Sequence, residues 1–358
     1  MNSKKKNIRK TMVFGIIAVL CAGLLSACSA GSGGGASGGG SNEPSGTASG
    51  PGGKPKEKVT VNIGVQGNTG ILYYARETKA FDKAFAEAGA EVKWYEFASG
   101  PPHFEALASG RLDFGSVGGT PVISGQTGGV DFKAIAVTGD GKKSNAIVLP
   151  KNSAIKDMKD LKGKKIAVAK GSSAYNFLYR VLEKAGLTDK DVQIIQLQPD
   201  EARPALDTGA IDAWSVWEPY VTTAVVQSGD LVLVTGQDLN IFAPGFLIAR
   251  TKFTEEHPDL TVLFLKEYEK VREYYASHLE EVADMLSKTN KLDKNIVLQV
   301  LQKSEPLLSP ITPEFAKVHQ EQADFLYSVG AINKKLDTSQ VLDSRFVDQA
   351  LKELKEGK

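Results

Sequence analysis

Residues 59–88 read VTVNIGVQGNTGILYYARETKAFDKAFAEA, and their hydrophobic period changes once. Val59, Val61 and Ile63 alternate as in a half-buried strand. After a Gly64–Gly70 turn, Leu72, Ala75, Ala80, Phe81, Ala84 and Phe85 fall at helical spacing, which predicts one helix over Ile71–Ala88. A strand joined to a helix through a glycine turn is the unit of α/β sheets, and outward from here the unit recurs. Strands are predicted at Glu91–Phe97, Leu112–Val117, Phe132–Val137, Ala146–Leu149, Lys165–Ala169, Val192–Leu197, Ile211–Val216, Leu231–Val234 and Phe246–Ile248. Helices are predicted at Phe104–Ala108, Ser172–Ala185, Asp200–Asp207 and Pro219–Val226. That order is α/β with mostly parallel sheets. From Arg250 to Leu354 the pattern is almost wholly helical, with Leu260–His278 the longest segment. Helices without new strands should cover a sheet already made.

The chain has 358 residues, enough for two domains with cores of their own. Lys+Arg 43 against Asp+Glu 42 gives no basic footprint for nucleic acid. Two cysteines allow at most one disulfide and no Cys-rich zinc site. The amino end has a different character. Lys4, Lys5, Lys6, Arg9 and Lys10 precede an apolar run from Met12 to Leu25, 14 residues that reach only ~21 Å as a helix against a ~30 Å bilayer core. This predicts a signal peptide over residues 1–27. Leu25-Ser26-Ala27-Cys28 resembles the lipobox of bacterial lipoproteins, which implies a diacylglyceryl group on Cys28 and cleavage before it. Residues 29–53 hold eleven glycines, six serines and no large apolar side chain, so 28–57 is expected to be a disordered tether with a reach of roughly 30 Å. The G-x-G-x-x-G and G-x-S-x-G matches at 33–39 lie in this tether, without the strand and helix that give those motifs their chemistry. Without residues 1–27 the balance becomes 38 basic against 42 acidic residues, a net −4, and Cys28 is the one cysteine left.

Ligands of open α/β sheets bind beyond the carboxyl ends of the strands. Two turns there have the composition of an anion cradle. In Gly115-Ser116-Val117-Gly118-Gly119-Thr120-Pro121, Thr120 is placed to cap and Pro121 suits a first helical position. Lys170-Gly171-Ser172-Ser173-Ala174-Tyr175-Asn176 follows a strand in the same way. Each offers backbone N–H groups, a helix dipole and uncharged hydroxyls, although such turns are more often a bend and a cap. Trp217, at the end of a strand and before Glu218-Pro219, either walls a cleft or is an ordinary core tryptophan. The histidines are His103, His257, His278 and His319; His103 with Glu105 reads as a solvated pair, and no metal or catalytic motif lies in the folded region. The expectation is a protein without enzymatic activity, cofactor or metal.

At these turns the sequence resembles the solute-binding proteins of bacterial ABC importers, in the aliphatic sulfonate-binding family with its taurine and nitrate relatives. The pieces that carry the likeness are Tyr95-Glu96-Phe97-Ala98-Ser99-Gly100-Pro101, Leu112-Asp113-Phe114-Gly115-Ser116, Lys170-Gly171-Ser172-Ser173 with Asn176, and Asp212-Ala213-Trp214-Ser215-Val216-Trp217-Glu218-Pro219-Tyr220. The resemblance implies a two-lobed periplasmic-binding-protein-like fold of type II, each lobe a mixed sheet flanked by helices, with the ligand cleft between. Crossovers near Pro150 and Phe246 would divide it into lobe one, 58–149 plus 248–358, and lobe two, 150–247. The implied ligand-binding residues are Gln66, Gly100, Gly118, Gly119, Thr120, Gly171, Ser172, Ser173, Asn176, Trp217 and Glu218. Gly119 stands where several sulfonate binders carry an acidic or amide residue, which predicts a wider tail pocket. The implied function is capture of an aliphatic sulfonate at the outer face of the cytoplasmic membrane by a lipid-anchored monomer, and its delivery to an ABC permease and ATPase. Taurine, nitrate or a thiamine-precursor pyrimidine are alternative ligands, the last needing aromatic stacking from Trp217 with Tyr175. A lipid-anchored enzyme is a further alternative.

Overall fold

The computed structural model describes residues 58–357. The expected signal peptide, Cys28 and tether lie outside the described residues. Two five-stranded sheets organise the body. The first has the order β2-β1-β3-β10-β4 and the second β7-β6-β8-β5-β9. The strands are β1 Val59–Gln66, β2 Ala90–Phe97, β3 Phe114–Gly118, β4 Phe132–Gly139, β5 Asn145–Leu149, β6 Lys165–Val168, β7 Gln193–Gln196, β8 Ala213–Trp217, β9 Leu231–Thr235 and β10 Gly245–Arg250. The helices before β5 are α1 Ile71–Thr78, α2 Asp82–Glu87, α3 Pro101–Ala108 and α4 Gly119–Thr127. Those between β6 and β9 are α5 Ser173–Ala185, α6 Pro199–Asp207 and α7 Tyr220–Ser228. After β10 come α8 Thr251–Glu256, α9 Pro258–Ser277, α10 Leu279–Asn290, α11 Lys294–Lys303, α12 Pro313–Ser328 and α13 Arg345–Lys355.

Both sheets are mixed rather than mostly parallel. β1 pairs in parallel with β2 and β3, whereas β10 runs antiparallel between β3 and β4. β6, with β7 and β8, and β5, between β8 and β9, repeat that scheme. The reason is the crossovers: β5 and β10 are the strands on which the chain enters a sheet from the other one, and each enters against its neighbours. The expected crossover near Pro150 falls instead at Asp140–Ser144, since Asn145–Leu149 already pairs in the second sheet. The return crosses at Gly236–Pro244, just ahead of the expected Phe246.

Alternation places Val61, Ile63 and Val65 of β1 in one core with Phe114, Leu247 and α9. There Phe264 of α9 stacks on Phe114, centroids 4.2 Å apart and planes 6° from parallel. The helix expected over Ile71–Ala88 breaks in two. Lys79 adopts a left-handed conformation, φ 56°, and its N–H closes α1 on the carbonyls of Ala75 and Arg76. A second core, around β6, β8 and α5, buries Trp214, Phe177 and Leu178. This core also takes Ala323, Phe325 and Leu326 of α12, with Arg180 of α5 lying 3.7 Å over the Phe325 ring. The late helices therefore do not all return to the first sheet alone: α12 packs on α5 and also, through Gln322 with Thr120 and His319 with Phe246, on α4 and β10. His103 is no solvated partner of Glu105. It is fully buried beside Gly64 and Gly115, whose missing side chains make room: a Cβ on either would approach its ring to 2.8 or 2.7 Å. Among the described residues no helix is long and apolar enough to cross a membrane.

Candidate ligand-binding site

The carboxyl ends of β1, β3 and β8 meet at a cavity of about 330 Å³. Its wall combines the end of β1 at Gln66, the start of α1 at Gly70–Tyr73, Ser116–Gly118 of β3, Ser173 of α5, and Trp217–Glu218 after β8. Tyr268 and Tyr275 of α9 and Lys303 at the end of α11 complete it. Three helices thus begin at the wall, α1, α4 and α5. The first N–H groups of a helix have no intrahelical partner and carry the positive end of its dipole, so an anion is favoured here. The α4 and α5 starts face each other closely: a Cβ on Gly118 would lie 3.2 Å from Ser173 Cβ.

Five of the residues expected from the sequence line this cavity: Gln66, Gly118, Ser173, Trp217 and Glu218. The other six stand behind it, and all but Asn176 are engaged by the fold. A Cβ on Gly100 would meet Pro121 Cγ at 2.3 Å, so this glycine lets α3 approach α4. Gly119 donates its N–H to Pro244 O at 2.7 Å. Thr120 does not cap α4, whose N-cap is Gly118; its buried hydroxyl accepts from Gln322 Nε2 at 3.0 Å. The space a side chain at Gly119 would need is taken by Gln322 Oε1, 2.7 Å from the would-be Cβ, so the glycine does not widen the cavity. Gly171 turns with φ +74° against Ser124. Ser172 is the true cap of α5, accepting from Tyr175 N at 3.3 Å and donating to Ala169 O at 2.7 Å. Asn176 is buried on the first turn of α5, with Oδ1 unpartnered.

Trp217 answers to both readings offered for it. It is 7% exposed, packs edge-on to Tyr220 at 5.8 Å in the second core, and presents its remaining surface to the cavity. Tyr175 is hydrogen-bonded to Tyr179 at 3.2 Å and does not line the cavity, so it forms no stacking partner for Trp217 there.

Sequence reasoning missed the lysines and tyrosines of the wall. Lys143 pairs with Glu305, and Lys303 donates to Glu218 Oε1 and Thr222 Oγ1, each at 2.8 Å. Glu218 also accepts from Thr222 N and Oγ1 at 3.0 Å. The charges of the wall are therefore largely neutralised in place. The donors left over are uncharged: backbone N–H groups and the side chains of Gln66, Thr69, Ser116 and Tyr268. Tyr73 donates to Asn290 Oδ1 at 2.5 Å, and Tyr275 accepts from Gly70 N at 3.2 Å. The clue available in the sequence was tyrosines seven residues apart, Tyr268 and Tyr275, on the core face of the longest helix, a spacing that brings them to one side. Among the described residues no group of His, Cys, Asp and Glu could hold a metal ion.

Comparisons with known proteins identify the fold and the family. The NMT1/THI5 like family matches residues 67–282. A Bacillus subtilis (strain 168) protein named for binding aliphatic sulfonates is 47% identical over 310 residues, 87% of this chain and 93% of that one. The alkanesulfonate-binding protein SsuA from Xanthomonas axonopodis pv. citri, solved bound to MOPS, superposes with a TM-score of 0.76 at 26% identity, over 80% of this chain and 98% of that one. The periplasmic aliphatic sulphonate binding protein SsuA from Escherichia coli does so with 0.70 at 33% identity, over 79% and 91%. The fold is that of the periplasmic binding proteins, two mixed sheets flanked by helices. On this fold and these matches, the chain belongs to the NMT1/THI5-like family and to the family of aliphatic sulfonate-binding proteins.

Proposed function

We propose that this protein captures aliphatic sulfonates outside the cytoplasm for an ABC importer, held to the membrane by a lipid on Cys28, and that it catalyses no reaction. The observation that carries the reading is the donor set of the cavity. A sulfonate is a monoanion at physiological pH whose three oxygens only accept hydrogen bonds. Three helix N-termini and neutral hydroxyls supply donors to them, while Lys143 and Lys303 are held by Glu305 and Glu218.

Magnitudes divide the work between head and tail. Three hydrogen bonds to a charged group contribute roughly 4.5 to 9 kcal/mol, against an association cost of at least ~4 kcal/mol. Micromolar affinity needs about 8.2 kcal/mol net. Each buried CH₂ adds ~0.8 kcal/mol, and Trp217, Leu72 and Val300 give the tail an apolar wall. In this reading the residues of the first sheet and those of the second form two lobes that close on the ligand and present it to the permease.

Isothermal titration with butanesulfonate, taurine, sulfate and nitrate tests the ligand. Heat from butanesulfonate is expected, and none from any sulfonate ends this reading. Cells fed labelled palmitate should label the wild-type protein and not Cys28→Ser; equal label in both would refute the anchor.

A further inference from the structure

We infer that Tyr268 is a ligand-binding residue, its phenolic hydroxyl donating to the anionic group of the ligand beside the first-turn amides of α1. The assignment rests on the sulfonate reading and locates the head group within it.

The placement of Tyr268 follows from the packing of α9 on the first sheet. Phe264 stacks on Phe114 in the core. One helical turn further along α9 is Tyr268, and two residues further along β3, on the same face, is Ser116; both line the cavity. Tyr268 is 3% exposed, yet its hydroxyl has no hydrogen-bond partner among the described residues. Of the other two tyrosines of the wall, Tyr73 spends its proton on Asn290 Oδ1, while Tyr275 accepts from Gly70 N and keeps its own proton to donate. The Tyr268 hydroxyl is not among the side-chain atoms sealed from solvent without a partner, so it opens on the cavity, where a ligand oxygen can accept from it. Burial also raises its pKa, so it stays a protonated donor wherever the protein is folded.

The surrounding donors point to the same end of the cavity. Ile71, Leu72 and Tyr73 stand at the start of α1, where N–H groups lack intrahelical partners; the first amide bonded within the helix is Tyr74 N, to Gly70 O at 3.0 Å. The α4 and α5 starts are committed in part. Gly119 N–H is spent on Pro244 O, and Ser173 Oγ donates to Asn145 Oδ1 at 2.9 Å. An uncommitted hydroxyl and three uncommitted amides therefore lie together at α1 and α9.

Tyr268→Phe removes one oxygen and keeps the ring, so a hydroxyl that serves only the ligand can go without harm to the fold. Titration with butanesulfonate should show an affinity lower by about ten-fold or more, as for loss of a hydrogen bond to a charged group. The melting temperature of the free protein should be equal or higher. The tyrosine near-ultraviolet difference spectrum induced by butanesulfonate in the wild type should be lost in the variant. Affinity within about two-fold of the wild type overturns the assignment and leaves the sulfonate reading in place. A loss of affinity matched by a lower melting temperature overturns it in favour of a packing role. Absence of heat with the wild-type protein overturns both.

Discussion

Lys303→Met asks whether the ion pair at the cavity wall holds the site together. Lys303 ends α11, whose Val297 and Leu301 belong to the first core, and Glu218 follows β8 of the second sheet. Two hydrogen bonds of 2.8 Å, to Glu218 Oε1 and Thr222 Oγ1, therefore join groups carried by different sheets. Their worth is limited by solvent: the lysine side chain is 43% exposed, although that of Glu218 is only 13% exposed. Exposed ion pairs contribute 0.2 to 1 kcal/mol, so about 1 kcal/mol is the upper end here. Methionine keeps the apolar stem, and Glu218 keeps its two bonds from Thr222, so no buried carboxylate is stranded. If a ligand enters by parting this pair and is held by its re-forming, the variant should bind butanesulfonate about five-fold more weakly at low salt. Near 1 M NaCl, where the Debye length is about 3 Å, wild type and variant should converge. Titration at the two salt concentrations measures the ratio. Equal affinities at low salt, or a ratio that ignores salt, would refute the role assigned to the pair.

Four further outcomes follow from the same structure. Trp217→Ala should weaken butanesulfonate more than methanesulfonate by calorimetry, because each methylene lost from contact forfeits up to ~0.8 kcal/mol; equal losses would make Trp217 core alone. Burial lowers His103 and His319 to about 4, from an unfolded value near 6.5, so stability is complete above pH ~6.5 and falls as the pH drops toward 4, by roughly 3 kcal/mol per histidine. Denaturant melts across that range should show the decline, and His319→Leu should roughly halve it. Gly119→Ala should cost about 1 to 3 kcal/mol of stability, since its Cβ would press on buried Gln322 at 2.7 Å, with sulfonate affinity in the folded protein unchanged. Sulfate should give at least ten-fold weaker binding than methanesulfonate in a competition titration, for the reason of charge argued below.

Alternation marks β1, whose Val61, Ile63 and Val65 face one core, and continuous apolar runs such as Ala146–Leu149 mark strands buried on both faces; the two signals together located every strand, because burial imposes its pattern locally. Three features were not legible, each for a tertiary reason. Lys79 ends α1 in a left-handed conformation that sequence normally signals with glycine or asparagine, and lysine gives no such signal. The apolar face of α12 shows that it packs, but not against which sheet. The glycine turns were found as anion cradles, yet whether an N–H is free depends on distant chain: the partner of Gly119 is Pro244, after the return crossover. Tyr268 was hidden for the opposite reason. On sequence it is one more apolar position of an amphipathic helix, and only the fold shows that its hydroxyl emerges at a cavity.

Charge explains why this wall suits a monoanion. Lys143 and Lys303 face Asp140, Glu218 and Glu305, so the ionised side chains sum to −1. The starts of α1, α4 and α5 each carry about half a positive charge, about +1.5 together. The site before binding is thus near +0.5, and one anionic charge brings it to about −0.5. A second charge brings it to about −1.5, with no unpaired cation to absorb it, because both lysines of the wall are already bound to carboxylates. Sulfate presents nearly the same oxygens as a sulfonate but carries that second charge and no tail for Trp217 to cover. Discrimination between them then needs no residue that repels sulfate; it follows from supplying donors through helix ends and hydroxyls, and from keeping the lysines engaged elsewhere.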